Sequence, residues 1–302
     1  MTNPTHGNNF VKELIDSKLF PILVVTKTPF YFESRSVLIR GLKKTELFFK
    51  YVFQKKQFQE KYLPYFMARK YNLPTYDSRR VNSESFYNMM KEINIDYIFT
   101  FSFEIISEKI FESPKLGAIN FHPSFLPENK GATPTNWAIL LNTKTSGVTF
   151  HYISKEIDGG KIIERYKVSL SGYETAEILN HYLLSLGSYL FVRLIYKLKN
   201  GITNTTSIEV NEKGYYNRPF KKKHSILEET NTLNQIDCIV RAARISGHNA
   251  LYNLNDFSYE ITNCVDITSI PLSMKNFPHI DENGNIYVKT SDDKIGLLIT
   301  KR

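Results

Sequence analysis

Only two cysteines stand in 302 residues, Cys238 and Cys264, with no Cys-x-x-Cys pair and no histidine at metal-ligand spacing beside either. A disulfide framework and a cysteine-built metal site therefore have little support, no metal is expected, and a reducing cytoplasm fits this cysteine usage. A Gly-x-Gly-x-x-Gly run is also missing, so nothing points to a dinucleotide cofactor. No apolar run spans a bilayer without interruption. The longest apolar stretch, within residues 174–199, is broken by Ser185, Ser188 and Arg193, so no membrane segment is expected. The opening MTNPTHGNNF is polar and unlike a signal peptide. The strand that should open an α/β sheet is lacking too, because the chain passes from Gly7 almost directly into a helical pattern at residues 10–18.

The chain is long enough for one or two domains with a sizeable core. Its formal net charge of +9 favours anionic partners. The basic residues lie in scattered spots (35–44, Lys55-Lys56, Arg79-Arg80 and 221–223) rather than in one stripe, so solubility explains them equally well. Short apolar, β-branched runs at residues 21–26, 96–100, 117–121, 148–153 and 161–168 read as strands. Helical patterns lie between and around them at 63–71, 83–93, 108–111, 133–141 and 174–199, the last ended by Gly201. This alternation predicts an α/β fold, a doubly wound, mainly parallel Rossmann-like sheet without its first strand. From residue 202 the composition turns to Asn, Thr and Ser. A helix at 236–245 and strands at 257–261, 286–290 and 295–300, with an Asn283-Gly284 turn, predict a small β-rich second domain. The expected division is a domain over 1–201 and a smaller one with its linker over 202–302.

The chemistry-bearing stretch is LGAINFHPSFLPENKGATPTNWAILLNTKTSGVTFHYISKEIDGGKII, residues 116–163. It sets Asn120, His122 and Asp158 at the ends of apolar runs, where open α/β sheets keep their active sites. Asn supplies a neutral donor, His a proton shuttle, and Asp a partner that orients or charges the His; together they suffice for acyl transfer without a metal. Singly, each has an ordinary reading: a turn-shaping Asn, a hydrogen-bonded His after a strand, an Asp before the turn glycines Gly159-Gly160.

The whole string resembles the folate-dependent formyltransferase family. Its signature stands here as Asn120-Phe-His122-Pro123-Ser124, Leu126-Pro127, Gly131-Ala132-Thr133-Pro134, Trp137-Ala138-Ile139, Thr-Ser-Gly-Val-Thr at 145–149, and Asp158-Gly159-Gly160. The match is close over roughly residues 70–170. The resemblance implies transfer of a formyl group from N10-formyltetrahydrofolate to a primary amine, with Asn120, His122 and Asp158 catalytic. It further implies that the folate lies over Ser102, Phe103, Ile105 and Ile106, and over Ile153, Lys155, Glu156 and Ile157.

Three branches of the family differ in the amine. Enzymes acting on a glycinamide nucleotide are usually one short domain. Initiator-tRNA formyltransferases carry a basic loop and a basic second domain. The loop at 28–44 is unlike theirs, and the second domain here is acidic near Asp281, Glu282, Asp292 and Asp293. The third branch formylates nucleotide-linked amino sugars for surface polysaccharides and often carries a Tyr-x-Arg-Pro linker, which stands here as Tyr216-Asn-Arg218-Pro219. The expectation is therefore a cytoplasmic sugar N-formyltransferase, with methionyl-tRNA formyltransferase or a formyl-folate hydrolase as alternatives. A homodimer is left open.

Overall fold

The computed structural model describes residues 7–27, 63–101, 103–202, 216–244, 249–267 and 276–301. Ser102, the whole basic-aromatic segment at 29–59 and the loop at 245–248 lie outside the described residues. The fold is mixed α/β, and two compact units emerge. One draws on Met1–His122, Val148–Arg165 and Leu184–Glu212, the other on Pro123–Gly147, Tyr166–Leu183 and Lys213–Arg302.

In the first unit the first described element is a helix, α1 (Gly7–Asp16), followed by β1 (Val24–Thr26), α2 (Leu63–Lys70), β2 (Thr75–Asp77), α3 (Glu84–Glu92), β3 (Ile98–Phe101), α4 (Glu108–Phe111) and β4 (Ala118–His122). Strands β1 and β2 pair in parallel, as do β3 and β4. Strand β6 (Thr145–Tyr152) then runs antiparallel against β4, and β7 (Ile162–Ser169) completes the order β3-β4-β6-β7. The antiparallel step does not follow from strand-helix alternation, which specifies neither neighbour nor direction. Helix α3 is capped by Ser83, whose hydroxyl accepts from the Phe86 amide at 3.2 Å. Asn82, the residue before it, does different work described below.

Strands β1 and β3 line one apolar cavity of about 480 Å³, whose walls include Val11 of α1, Leu23, Val25, Phe86 of α3, Ile98 and Phe191. Above β3 and β4 lies a cluster of rings. Phe10 stacks on Phe101 at 3.9 Å between centroids, and Phe191 packs edge-on against Phe99 and Phe101 at 4.9 and 4.8 Å. Phe191 belongs to the long helix α6 (Ala176–Lys199), which ends as expected at Gly201, with φ +65°. There the Ile202 amide donates to the Lys197 carbonyl and the Gly201 amide to that of Leu198. By length and composition alone α6 could cross a membrane, but its Leu179, Leu183, Phe191 and Leu194 are buried in protein, as in the core helix of a globular protein.

Gly187 lets α6 lie this close to the sheet. A Cβ there would stand 2.1 Å from Cε2 of Phe121, a fully buried ring of β4. Gly→Ala inside a helix ordinarily gains about 0.8–1.0 kcal/mol. Phe121 is hemmed in by Phe10 and Phe150, so overpacking of about 1–3 kcal/mol outweighs that gain. Gly187→Ala is therefore expected to destabilise the protein. A urea midpoint at or above wild type would contradict the packing argument.

The second unit contains β5 (Lys130–Gly131), helix α5 (Pro134–Leu140), β8 (Tyr216–Asn217), β9 (Ile226–Leu227), helix α7 (Leu233–Ala243), β10 (Ala250–Leu254), β11 (Phe257–Asp266), β12 (His279–Ile280), β13 (Ile286–Lys289) and β14 (Ile295–Thr300). Its main sheet has the order β12-β13-β14-β11-β10-β9, antiparallel except where β9 meets β10. Ile236, Ile239 and Val240 of α7 enter the same core as Tyr252, Ile261 and Leu298. The helix starts at Leu233 rather than at the expected 236, because Thr232 and Gln235 form a reciprocal capping box.

Two motif segments hold each other within this unit. β5 pairs in parallel with β8, the Trp137 indole donates to the Arg218 carbonyl at 2.8 Å, and the Phe220 amide donates to the Thr133 hydroxyl at 2.9 Å. Gly131, at φ +90°, is required there, since a Cβ would meet the Asn217 carbonyl oxygen at 2.3 Å.

Candidate active site

Alternation along β4 turns Ile119 and Phe121 toward one side of the sheet and Asn120 and His122 toward the other. The register adds neighbours to the polar side. Asn120 sits opposite Thr100 of β3 and His151 of β6, and His122 opposite Thr149. Cross-strand partners share a face, so Thr100, Asn120, His122, Thr149 and His151 form one polar patch backed by the ring cluster.

Asp158 reaches this patch from the segment after β6. The chain turns back after Tyr152, whose amide donates to the Lys161 carbonyl at 2.9 Å. A Cβ on Gly160 would lie 1.8 Å from the Tyr152 carbonyl oxygen, so only glycine permits the approach. Asp158 itself takes a left-handed backbone, φ +51°, a conformation Asp tolerates better than most residues. Its carboxylate ends between two imidazoles, with Oδ2 3.5 Å from His122 Nδ1 and Oδ1 3.4 Å from His151 Nε2. All three side chains are more than nine-tenths buried. The Asn120 amide is tied on both sides: its Oδ1 accepts from the Thr100 hydroxyl at 2.7 Å, and its Nδ2 lies 3.1 Å from His151 Nε2.

The structure thus brings Asn120, His122 and Asp158 together and adds two residues that the sequence reading missed, Thr100 and His151. A period-2 reading of residues 147–153 places His151 and Thr149 on the same side, but only the strand register shows that this side also carries Asn120.

The residues expected to bind folate fall into two groups. In the segment after β3, Phe103 and Ile106 pack against the core cluster containing Val25, Phe86 and Ile98, whereas Ile105 is 79% exposed. This loop is pinned by Asn82, which donates through Nδ2 to the Ile105 carbonyl at 3.1 Å and accepts from the Ser107 amide at 2.8 Å. In the segment after β6, Ile153 also packs on that cluster and Ile157 is exposed. Lys155 forms an ion pair with Glu108 at 2.6 Å, and that hydrogen bond holds the ammonium pKa above its usual value. The Ser154 hydroxyl donates to the Glu156 carbonyl at 3.0 Å, which tightens the turn leading to Asp158. Among the described residues no group of three or more His, Cys, Asp and Glu could hold a metal ion.

Residues 48–195 match the family model described as formyl transferase. The chain carries a formyl transferase domain. All of the polar patch lies within the matched residues. Curated relatives of this domain include the bifunctional polymyxin resistance protein ArnA of Wigglesworthia glossinidia brevipalpis, 27% identical over 57% of this chain and 26% of that protein. The methionyl-tRNA formyltransferase of Bacteroides thetaiotaomicron is 29% identical over 44% of this chain and 41% of that enzyme. The chain therefore spans less than half the length of either. Among solved structures, an N-formyltransferase from Helicobacter canadensis, in complex with folinic acid and dTDP-3-aminofucose, superposes with a TM-score of 0.66 at 19% identity. It covers 99% of this chain and 97% of that one. WlaRD, a sugar 3N-formyl transferase solved with dTDP and 5-N-formyl-THF, gives 0.65 at 19% identity, covering 99% and 96%. At that identity these two likenesses concern the fold.

Proposed function

We propose that this formyl transferase moves the formyl group of N10-formyltetrahydrofolate onto the amino group of a nucleotide-linked amino sugar. The observation that carries the reading is the convergence of Asn120, His122 and Asp158 on one buried polar patch inside the formyl transferase domain. In this reading the neutral amine attacks the formyl carbon, and the carbonyl oxygen takes up negative charge. Asn120 Nδ2–H and protonated His122 donate to that oxygen. The bond from carbon to N10 breaks as the bond from carbon to the amine is kept. The amine gives up a proton and N10 gains one, with His122 as the relay and Asp158 orienting its ring. Exposed Ile105 and Ile157, on the two segments flanking the patch, suit the apolar faces of a pterin.

Three further assignments belong to this reading: a doubly wound, mainly parallel sheet without its first strand, a catalytic domain over 1–201, and an OB-like domain over 202–302. Support for the sugar comes from the two sugar N-formyltransferases that align over nearly the whole of both chains. The methionyl-tRNA formyltransferases, one of which matches over 44% of this chain, favour the second reading.

The test is turnover with a panel of acceptors. Purified protein, N10-formyltetrahydrofolate and either nucleotide-linked 3- or 4-amino sugars or initiator methionyl-tRNA are incubated, and the acceptor is weighed. A gain of about 28 Da, a formyl in place of one hydrogen on the attacking amine, is expected on a sugar. Gain on the tRNA alone would overturn the sugar assignment, and formate release with no acceptor would point to a hydrolase.

A further inference from the structure

We propose that His151 is a positioning residue that sets the orientation of the Asn120 amide, so that an N–H rather than the carbonyl faces the reacting oxygen. The proposal rests on the formyl-transfer reading for its catalytic consequence, but its structural content stands apart from it.

The argument starts from which atoms can donate. His151 Nδ1 lies 2.9 Å from the Tyr152 carbonyl oxygen. A carbonyl only accepts, so Nδ1 carries the hydrogen. In the neutral ring Nε2 then holds a lone pair, and it accepts from Asn120 Nδ2, 3.1 Å away. Rotating the amide by half a turn would bring Oδ1 against that lone pair, acceptor facing acceptor. Thr100 cannot discriminate in the same way, because its hydroxyl, 2.7 Å from Oδ1, both donates and accepts. His151 therefore selects the orientation and Thr100 reinforces it. One N–H of Asn120 is spent on His151. The second has no partner among the described residues and is left to meet the charge that develops on the formyl oxygen. Burial strengthens the selection, since His151 is 2% exposed and the bond lies away from bulk solvent.

Two measurements test this. The first is independent of any acceptor: nitrogen NMR of the His151 ring, at a pH where the ring is neutral, is expected to report hydrogen on Nδ1 and a bare Nε2. A hydrogen on Nε2 would overturn the proposal whatever the protein catalyses. The second is a kinetic cycle. His151→Phe keeps a ring and removes the acceptor, and its kcat is expected to fall about 10-fold, the worth of one hydrogen bond. KM for the folate and for the amine should stay where they are. His151→Gln returns an acceptor near the position of Nε2 and should recover most of that loss. In an Asn120→Ala background His151→Phe should cost almost nothing more, because the residue acts through Asn120. A full 10-fold loss persisting in that background would assign His151 to Asp158 instead and overturn the proposal. Absence of formyl transfer by the wild-type protein would remove the functional reading, while the NMR result would still decide the clamp.

Discussion

His122→Asn is expected to lower formyl transfer about 10³-fold, within the range of about 10²–10⁴ for a positioned proton-transfer group, and to leave the fold intact. The imidazole projects from the last residue of β4 and is 5% exposed, so its replacement must be polar and no larger. Asn meets both conditions but cannot carry a proton from the amine to the leaving nitrogen. It also lacks the charge that would pair with Asp158, 3.5 Å from His122 Nδ1. Backbone pairing of β4 with β3 and β6 does not involve the ring, so cooperative unfolding in urea should stay near wild type. A loss under 10-fold would move proton transfer to another group. Unfolding of the variant would make His122 a structural residue.

Much of this site could be read from residues 116–163 alone, and the reason is local. Asn120 and His122 alternate on one strand, so period 2 puts them on one side without any tertiary knowledge. Asp158 is followed by Gly159-Gly160, and the close approach of Gly160 to the Tyr152 carbonyl is a backbone requirement written into the sequence. Thr100 and His151 were not legible in the same way. Each joins the patch through pairing with β4, and the antiparallel direction of β6 is set by long-range contacts that no local pattern encodes. The ring cluster shows the same limit. Phenylalanines at 10, 101, 121, 150 and 191 are scattered along the sequence, and their meeting depends on Gly187 allowing α6 to approach.

The second unit was less legible because its strands are short and its turns are built by side chains. The expected Asn283-Gly284 turn does join a hairpin, β12 to β13, but its loop is wider than two residues. There the Asp281 carboxylate accepts from the amides of Asn283 and Asn285 at 2.9 and 2.8 Å, and Gly284 takes φ +80°. These bonds hold the Asp281 pKa below its usual value, although burial pushes the other way. Strand β9 has two residues and is defined only by parallel pairing with β10, a pattern invisible without the partner.

Asp158→Asn is expected to cost about as much as His122→Asn, on the order of 10³-fold in kcat, and the two losses should not add. Asparagine has the shape of aspartate and tolerates the same left-handed backbone, so the turn over Gly159 and Gly160 should form unchanged. What disappears is the charge between His122 and His151. With a neutral amide there, His122 loses the partner that favours its protonated form, and its ring is free to turn away from the reacting atoms. Asp158 acts on the chemistry only through His122, so the double variant His122→Asn, Asp158→Asn should be no slower than His122→Asn alone. The measurement is single-turnover formyl transfer for wild type, both single variants and the double. If the losses multiplied, Asp158 would have to touch the substrate itself, most directly by taking the proton of the attacking amine, and the division of labour between the two residues would reverse.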